Sequence, residues 1–197
     1  MKYYLFDTTM TFDTGKPWVI RFPASCNRYD LNLGKRVRTW NEDVIARCMV
    51  QDPYVDFPYV VVQDWHAASP RLQDLLQRHA ARDIQLLPFT IHSLGAKKRE
   101  VPGYALVHYL CKIDCLDRVR SVVKTGAWTD PANPWLPYNH YGDVVLRKVV
   151  LEEQKIGDAP LFRFLGGSGT PVMREDLKSA IEEAKVTGIR FEEIETA

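Results

Sequence analysis

Few residues in this chain are spaced for chemistry. His66 follows Asp64-Trp65, and His140 lies in Tyr138-Asn139-His140-Tyr141-Gly142-Asp143. A histidine near a carboxylate can act as the base for a serine or cysteine nucleophile. Neither histidine sits in the local signature of a known catalytic class, and five histidines in 197 residues meet such neighbours by chance. A small hydrolase using His66 or His140 is therefore the alternative reading, behind a protein that is not an enzyme. Asp114 and Asp117 flank Cys115-Leu116. Two close acids can hold a metal or share a proton. In a strand, residues three apart point to opposite faces, so a common site there needs a bulge.

The four cysteines, Cys26, Cys48, Cys111 and Cys115, form no C-x-x-C pair, and no histidine pair has ligand spacing. They are expected as structural thiols, with Cys111 and Cys115 on one face of a strand. Gly166, Gly167 and Gly169 lack the lysine and hydroxyl residue that complete a phosphate loop, so a flexible turn is expected. No metal and no cofactor are expected.

Two stretches suit the binding of a protein better than catalysis. Residues 51–64 (QDPYVDFPYVVVQD) hold Asp52, Asp56 and Asp64 with Tyr54, Phe57 and Tyr59, and contain no lysine or arginine. Residues 127–143 (AWTDPANPWLPYNHYGD) hold Trp128, Trp135, Tyr138 and Tyr141 among prolines. Rigid aromatics on stiff loops lose little entropy on docking, and Trp and Tyr are enriched among interface hot spots. The acids favour a basic partner. The plainer role for each ring is to cover the domain's own core. Lys97, Lys98 and Arg99 read as a solvated loop.

The elements that must hold these stretches can be read from periodicity. Leu177, Ala180, Ile181 and Ala184 recur at i, i+3, i+4 and i+7, which predicts a helix over about 174–186. Gly188 is placed to stop it, and Ile189 and Phe191 then alternate with polar residues as a strand does. Ser69-Pro70 opens a second helix over about 70–80, with Leu72, Leu75, Leu76 and His79 on one stripe. Val44, Ile45, Cys48 and Met49 suggest a short helix capped by Asn41. Strands are expected near Tyr3 and Leu5, at 18–22, 59–62, 83–92, 103–113, 116–123, 143–151 and 161–165. Pro88 places 83–92 at a sheet edge or a bulge. Many strands around two helices, without strict alternation, predict an α+β fold with a largely antiparallel sheet.

Composition narrows the class. A chain of 197 residues fits one domain, 1–197. A formal charge of +1 gives no global field for nucleic acid or an anionic membrane. The first residues carry no export signal and no apolar run approaches the ~20 residues of a membrane span, so a cytoplasmic protein is expected.

The chain resembles the eleventh bacterial immunity-protein family of polymorphic toxin systems. Residues 84–194 carry the resemblance: Ile84-Gln85-Leu86-Leu87-Pro88, Gly103-Tyr104, Asp114-Cys115-Leu116-Asp117, Leu161-Phe162-Arg163, the helix from Leu177, and Thr187-Gly188-Ile189-Arg190-Phe191. Their order and spacing make the match; each piece alone is common. The first eighty residues match loosely, and Met173-Arg174 stands where the family has a polar helix cap. The resemblance implies a protein that binds a cognate toxin, typically encoded beside it, and protects the producer and its kin. It implies no catalytic residue and no direct contact with nucleic acid or membrane. Nuclease domains are one toxin class such proteins neutralise, and the acidic stretch suits a basic nuclease. The expected partner-binding residues are Asp52, Tyr54, Asp56, Phe57, Tyr59, Trp128, Trp135, Tyr138 and Tyr141. A structural subunit that associates with its own copies is a further alternative.

Overall fold

The structure, a computed structural model, describes residues 1–8, 19–20, 33–40, 45–48, 56, 66–93, 100–123, 146–165 and 170–197. Among them the fold is α+β. Strands β1 (Tyr3–Thr8), β2 (Val19–Ile20), β3 (Ile45–Cys48) and β4 (His66–Ala68) precede helix α1 (Pro70–Ala80). Strands β5 (Ile84–Ser93), β6 (Glu100–Tyr109), β7 (Lys112–Ile113), β8 (Val122–Val123), β9 (Leu146–Lys148), β10 (Val150–Leu151), β11 (Leu161–Phe164) and β12 (Val172–Arg174) follow. Helix α2 (Glu175–Glu183) and strand β13 (Ile189–Thr196) complete the order.

One sheet runs β10-β13-β1-β12-β11-β7, antiparallel except where β10 meets β13 and β7 meets β11. A second runs β2-β3-β5-β6-β4, antiparallel except between β3 and β5. Strands β8 and β9 pair by themselves.

Side-chain alternation gives the first sheet two apolar faces. Phe6, Leu161, Met173, Ile189 and Phe191 face one core with α1, α2 and the strands β5 and β6. Tyr3, Leu5, Phe162, Phe164, Val172 and Ile194 face a second core with Cys115, Leu116, Leu151 and Ile156. The first core joins the two sheets through both helices. Leu72, Leu75, Leu76 and Ala80 of α1 and Leu177 and Ile181 of α2 are buried in it. Each such leucine or isoleucine contributes roughly 1.5–3 kcal/mol by leaving water.

Local chemistry explains the helix ends. Ser69 caps α1, its Oγ accepting from Leu72 N at 3.3 Å, and Pro70 follows at the first helical position. His79, expected on the buried stripe, is exposed, and Ala80 takes the inward position. Helix α2 begins at Glu175 without a side-chain cap. Arg174 instead forks onto Asp176 at 2.7 Å, and Glu175 N donates to Lys2 O at 3.1 Å. Lys185 stops α2: it takes φ +54°, one residue past the helix cap. Gly188, at φ +86°, shapes the entry to β13 and not the end of the helix.

Several expectations change. Residues 45–48 are a strand and not the predicted helix, because Ile45 to Cys48 pair in parallel with Thr90 to Ser93. A four-residue helix gains little, and a non-local partner decides the outcome. Strand β5 is central, between β3 and β6, although it contains Pro88. The Pro88 carbonyl accepts from Trp40 Nε1 at 2.7 Å. The missing N–H of Pro88 points to that same side, away from β6, so no bond between β5 and β6 is lost. A register shift follows between Phe89 and Ile91. Of residues 116–123, Leu116 forms an isolated bridge to Leu151, 118–120 are a turn and only Val122–Val123 are strand, and β12 lies between the glycine-rich stretch and α2. Residues 59–62 lie outside the described residues.

Candidate partner-binding surface

Asp56 is the one expected partner-binding residue within the described set; Asp52, Tyr54, Phe57, Tyr59, Trp128, Trp135, Tyr138 and Tyr141 lie outside it. Its carboxylate faces its own chain. Oδ1 accepts from Ser69 Oγ at 2.6 Å, and Oδ2 accepts from Arg71, from Thr187 N at 2.9 Å and from Thr187 Oγ1 at 3.0 Å. Arg71 also reaches the Lys185 carbonyl at 2.9 Å. The start of α1 and the end of α2 thus meet at one acid. Burial opposes the charge on Asp56, but the bonds from Arg71, Ser69 and Thr187 outweigh it and hold the carboxyl below its usual range.

His66 is also internal. It is 6% exposed, between the rings of Phe6 and Tyr109. Its Nδ1 lies 3.1 Å from the Tyr109 hydroxyl and its Nε2 lies 3.8 Å from Asp7 Oδ1. Burial pushes the Tyr109 phenol far up, so it stays protonated. The Arg163 guanidinium lies 4.4 Å above the Tyr109 ring, a cation–π contact that accommodates a charge in the middle of β11. This group is a packed polar cluster of the first core. His140 lies outside the described residues.

The two described thiols, Cys111 and Cys115, fit a structural role. Burial pushes Cys115 up to about 12 and Cys111 up to about 11, so neither is a thiolate at neutral pH. Both adjoin the second core. The acids beside them part company. Asp114 is exposed and lies 3.8 Å from Arg118. Asp117 Oδ1 accepts from Val119 N at 2.9 Å and Arg120 N at 3.0 Å, closing a tight turn. That turn lifts Val119 to 94% exposure, beside an open hollow of about 470 Å³ lined by Asp117, Arg120, Glu152, Gln154 and Ala197.

A charged feature that sequence reasoning passed over lies at residues 33–40. This segment is strapped across β5 and β6. The Gln85 side-chain amide bonds Val37 twice, accepting from its N–H and donating to its carbonyl, both at 2.8 Å. The Lys35 carbonyl accepts from His108 Nε2 at 2.8 Å, which assigns the imidazole proton to Nε2. Gly34 has φ +72°, and a Cβ there would come within 2.9 Å of the Leu110 carbonyl oxygen. Lys35, Arg36 and Arg38 are exposed along this strap. Their signal in the sequence is three cations in four residues. The Lys97-Lys98-Arg99 run, which drew notice instead, lies outside the described residues.

A family model described as "Immunity protein family (Imm11)" matches residues 25–196. The chain belongs to the Imm11 immunity protein family. The match extends the resemblance seen over 84–194 toward the N-terminus and takes in the strap, both helices and most of both sheets. No curated protein matches the chain. Membership in Imm11 gives the chain a toxin-immunity role in its coarse form. Among the described residues no helix is long and apolar enough to cross a membrane.

Proposed function

We propose that this chain is the immunity partner of a cognate toxin encoded beside it, acting as one domain over 1–197 in the cytoplasm of the producing cell. It binds the toxin in a stoichiometric complex and blocks its working surface, without turnover and without a cofactor. It acts on protein alone, with no direct contact to nucleic acid or membrane. The observation that carries this reading is the family match over 25–196. The enclosed His66 and the protonated thiols agree with a protein that works by contact.

The contact surface includes the aromatic stretches 51–64 and 127–143, with Tyr54, Phe57, Tyr59, Trp128, Trp135, Tyr138 and Tyr141 as anchors and Asp52 as an acid toward the partner. Asp56 acts within its own chain, since its carboxylate is engaged by Arg71, Ser69 and Thr187. A nuclease domain is the toxin class the acidic stretch favours. A stable complex of this kind buries roughly 1,200–2,000 Å² in total.

The test is expression of the adjoining reading frame with and without this chain. Growth arrest that this chain relieves supports the reading. A harmless neighbour, or arrest that the chain leaves unchanged, removes it.

A further inference from the structure

Strand β13 is paired along one side by β1, from Ile189 to Ile194. On its other side β10 meets only Glu195 and Thr196. The ladder shows which residues face the remaining edge. Ala197 N donates to Leu151 O at 2.8 Å on the β10 side, and Phe6 N donates to Pro171 O at 3.3 Å on the β12 side of β1. Backbone groups alternate sides along a strand. With the β1–β13 register, Ile189, Phe191 and Glu193 therefore turn their N–H and C=O groups away from β1, and among the described residues nothing pairs with them. Gly188, at φ +86°, turns the chain away at one end of this edge, and β10 closes the other. We propose that the edge 189–193 pairs with the same edge of a second copy of the chain, antiparallel, about a two-fold axis at Phe191.

Charge and backbone select the same register. A two-fold axis makes the two strands antiparallel. Centred on Phe191, the pairing sets Ile189 against Glu193 of the other copy and Arg190 against its Glu192. It uses each open N–H and C=O of Ile189, Phe191 and Glu193 and makes two opposite-charge pairs. Centring on Arg190 or on Glu192 sets like charges against each other and leaves open groups unused. Arg190 and Glu192 are both exposed. Arg190 meets Asp7 of β1 on one flank, at 3.1 Å, and the added strand brings Glu192 to the other. On the opposite face, half-buried Phe191 meets its own copy, an aromatic cross-strand pair.

Charges on an edge strand commonly repel a second edge. The order Arg190-Phe191-Glu192 makes them attract one. The other long flanks are taken within the chain. Where β3 ends beside β5, Gln85 bonds Val37 twice and the Pro88 carbonyl accepts from Trp40. On β6, Gln73 occupies the Gly103 carbonyl at 2.6 Å, and Pro102 has no N–H to offer. Strands β2, β4 and β7 are two or three residues long. A junction of five residues a side falls below the roughly 1,200 Å² of a stable complex, so the dimer is weak and depends on concentration.

The test uses the isolated chain, so it stands apart from the immunity reading. Sedimentation equilibrium follows the mass of wild type, E192R, R190E and an equal mixture of the two variants as concentration rises, with circular dichroism to check the fold. Wild type should move from one chain toward two. Each variant alone should dimerise roughly 10-fold more weakly, because like charges then face each other twice. The mixture should regain the wild-type dimer, because the two basic positions of E192R face the two acidic positions of R190E. Hydrogen exchange at the Ile189, Phe191 and Glu193 amides should slow as the dimer forms. E192R decides the matter alone if R190E, which also loses the Asp7 pair, does not fold. A single-chain mass up to about 1 mM overturns the proposal. So do variants that dimerise as wild type does, a mixture of folded variants that stays monomeric, or a dimer in which those amides exchange unchanged. Protection of the three amides only on adding the product of the adjoining reading frame would overturn it in favour of a strand from the toxin.

Discussion

Asp56 and Thr187, 131 positions apart, hold each other by three hydrogen bonds. Thr187 N and Oγ1 both donate to Asp56 Oδ2, and Asp56 N donates back to Thr187 Oγ1 at 3.2 Å. Arg71 and Ser69 close the remaining valences of the carboxylate. The junction therefore fixes Asp56 against the start of α1 and the end of α2.

Asp56→Ala should lower stability by on the order of 3 kcal/mol, because it leaves Arg71, Thr187 and the cap residue Ser69 without their acceptor. Asp56→Asn should cost less, since an amide oxygen still accepts. Urea unfolding measures both. Equal midpoints for Asp56→Ala and wild type would show that the junction carries no weight.

Stability should fall as pH drops from about 6.5 to about 4, through His108. Burial is the main cause of its low pKa, about 4, with Arg163, Arg36 and Lys112 adding to it. The unfolded chain takes up this proton near pH 6.5, before the folded chain does. Its contribution is thus complete above that pH and is lost progressively down to about pH 4, by at most ~3 kcal/mol. His108→Gln should flatten this part of the profile. Below pH 4 the paired Asp56 and Asp176, both held low, extend the loss. A wild-type profile that is flat between pH 6.5 and 4 contradicts the assignment.

Gly34→Ala should cost on the order of 2 kcal/mol, and Gly157→Ala only about 1 kcal/mol. Both glycines have positive φ, at +72° and +67°. Only at Gly34 does a Cβ meet backbone, the Leu110 carbonyl, whereas the space at Gly157 is open. The difference between the two urea midpoints isolates the seating of the strap. Equal costs would mean that the strap shifts to make room.

What could be read from sequence was local. Ser69-Pro70 announced α1, and the spacing of Leu177, Ala180, Ile181 and Ala184 announced α2, because caps and periodicity act within one or two turns. Ile45 to Cys48 was misread, because its strand character comes from Thr90 to Ser93, some forty-five residues away in sequence. Of the two places that suit Pro88, an edge or a bulge, the structure shows an irregularity between Phe89 and Ile91 in a central strand, and the choice between them depends on β3, which lies far off in sequence. At the candidate site, Asp56 was legible as an acid among aromatics but not as an internal clasp, since Thr187 is 131 positions away. The strap was missed because residues 33–40 look like any solvated loop until Gln85 and His108 are seen to pin the backbone at Val37 and Lys35.

The most direct measurement of the central claim is a titration of the toxin's activity with this chain. Stoichiometric blocking predicts a linear fall that ends near one chain per toxin, with a complex of that ratio by light scattering. Full inhibition at far lower ratios would point to catalysis, and activity that persists with the chain in excess would show that it is not the toxin's inhibitor.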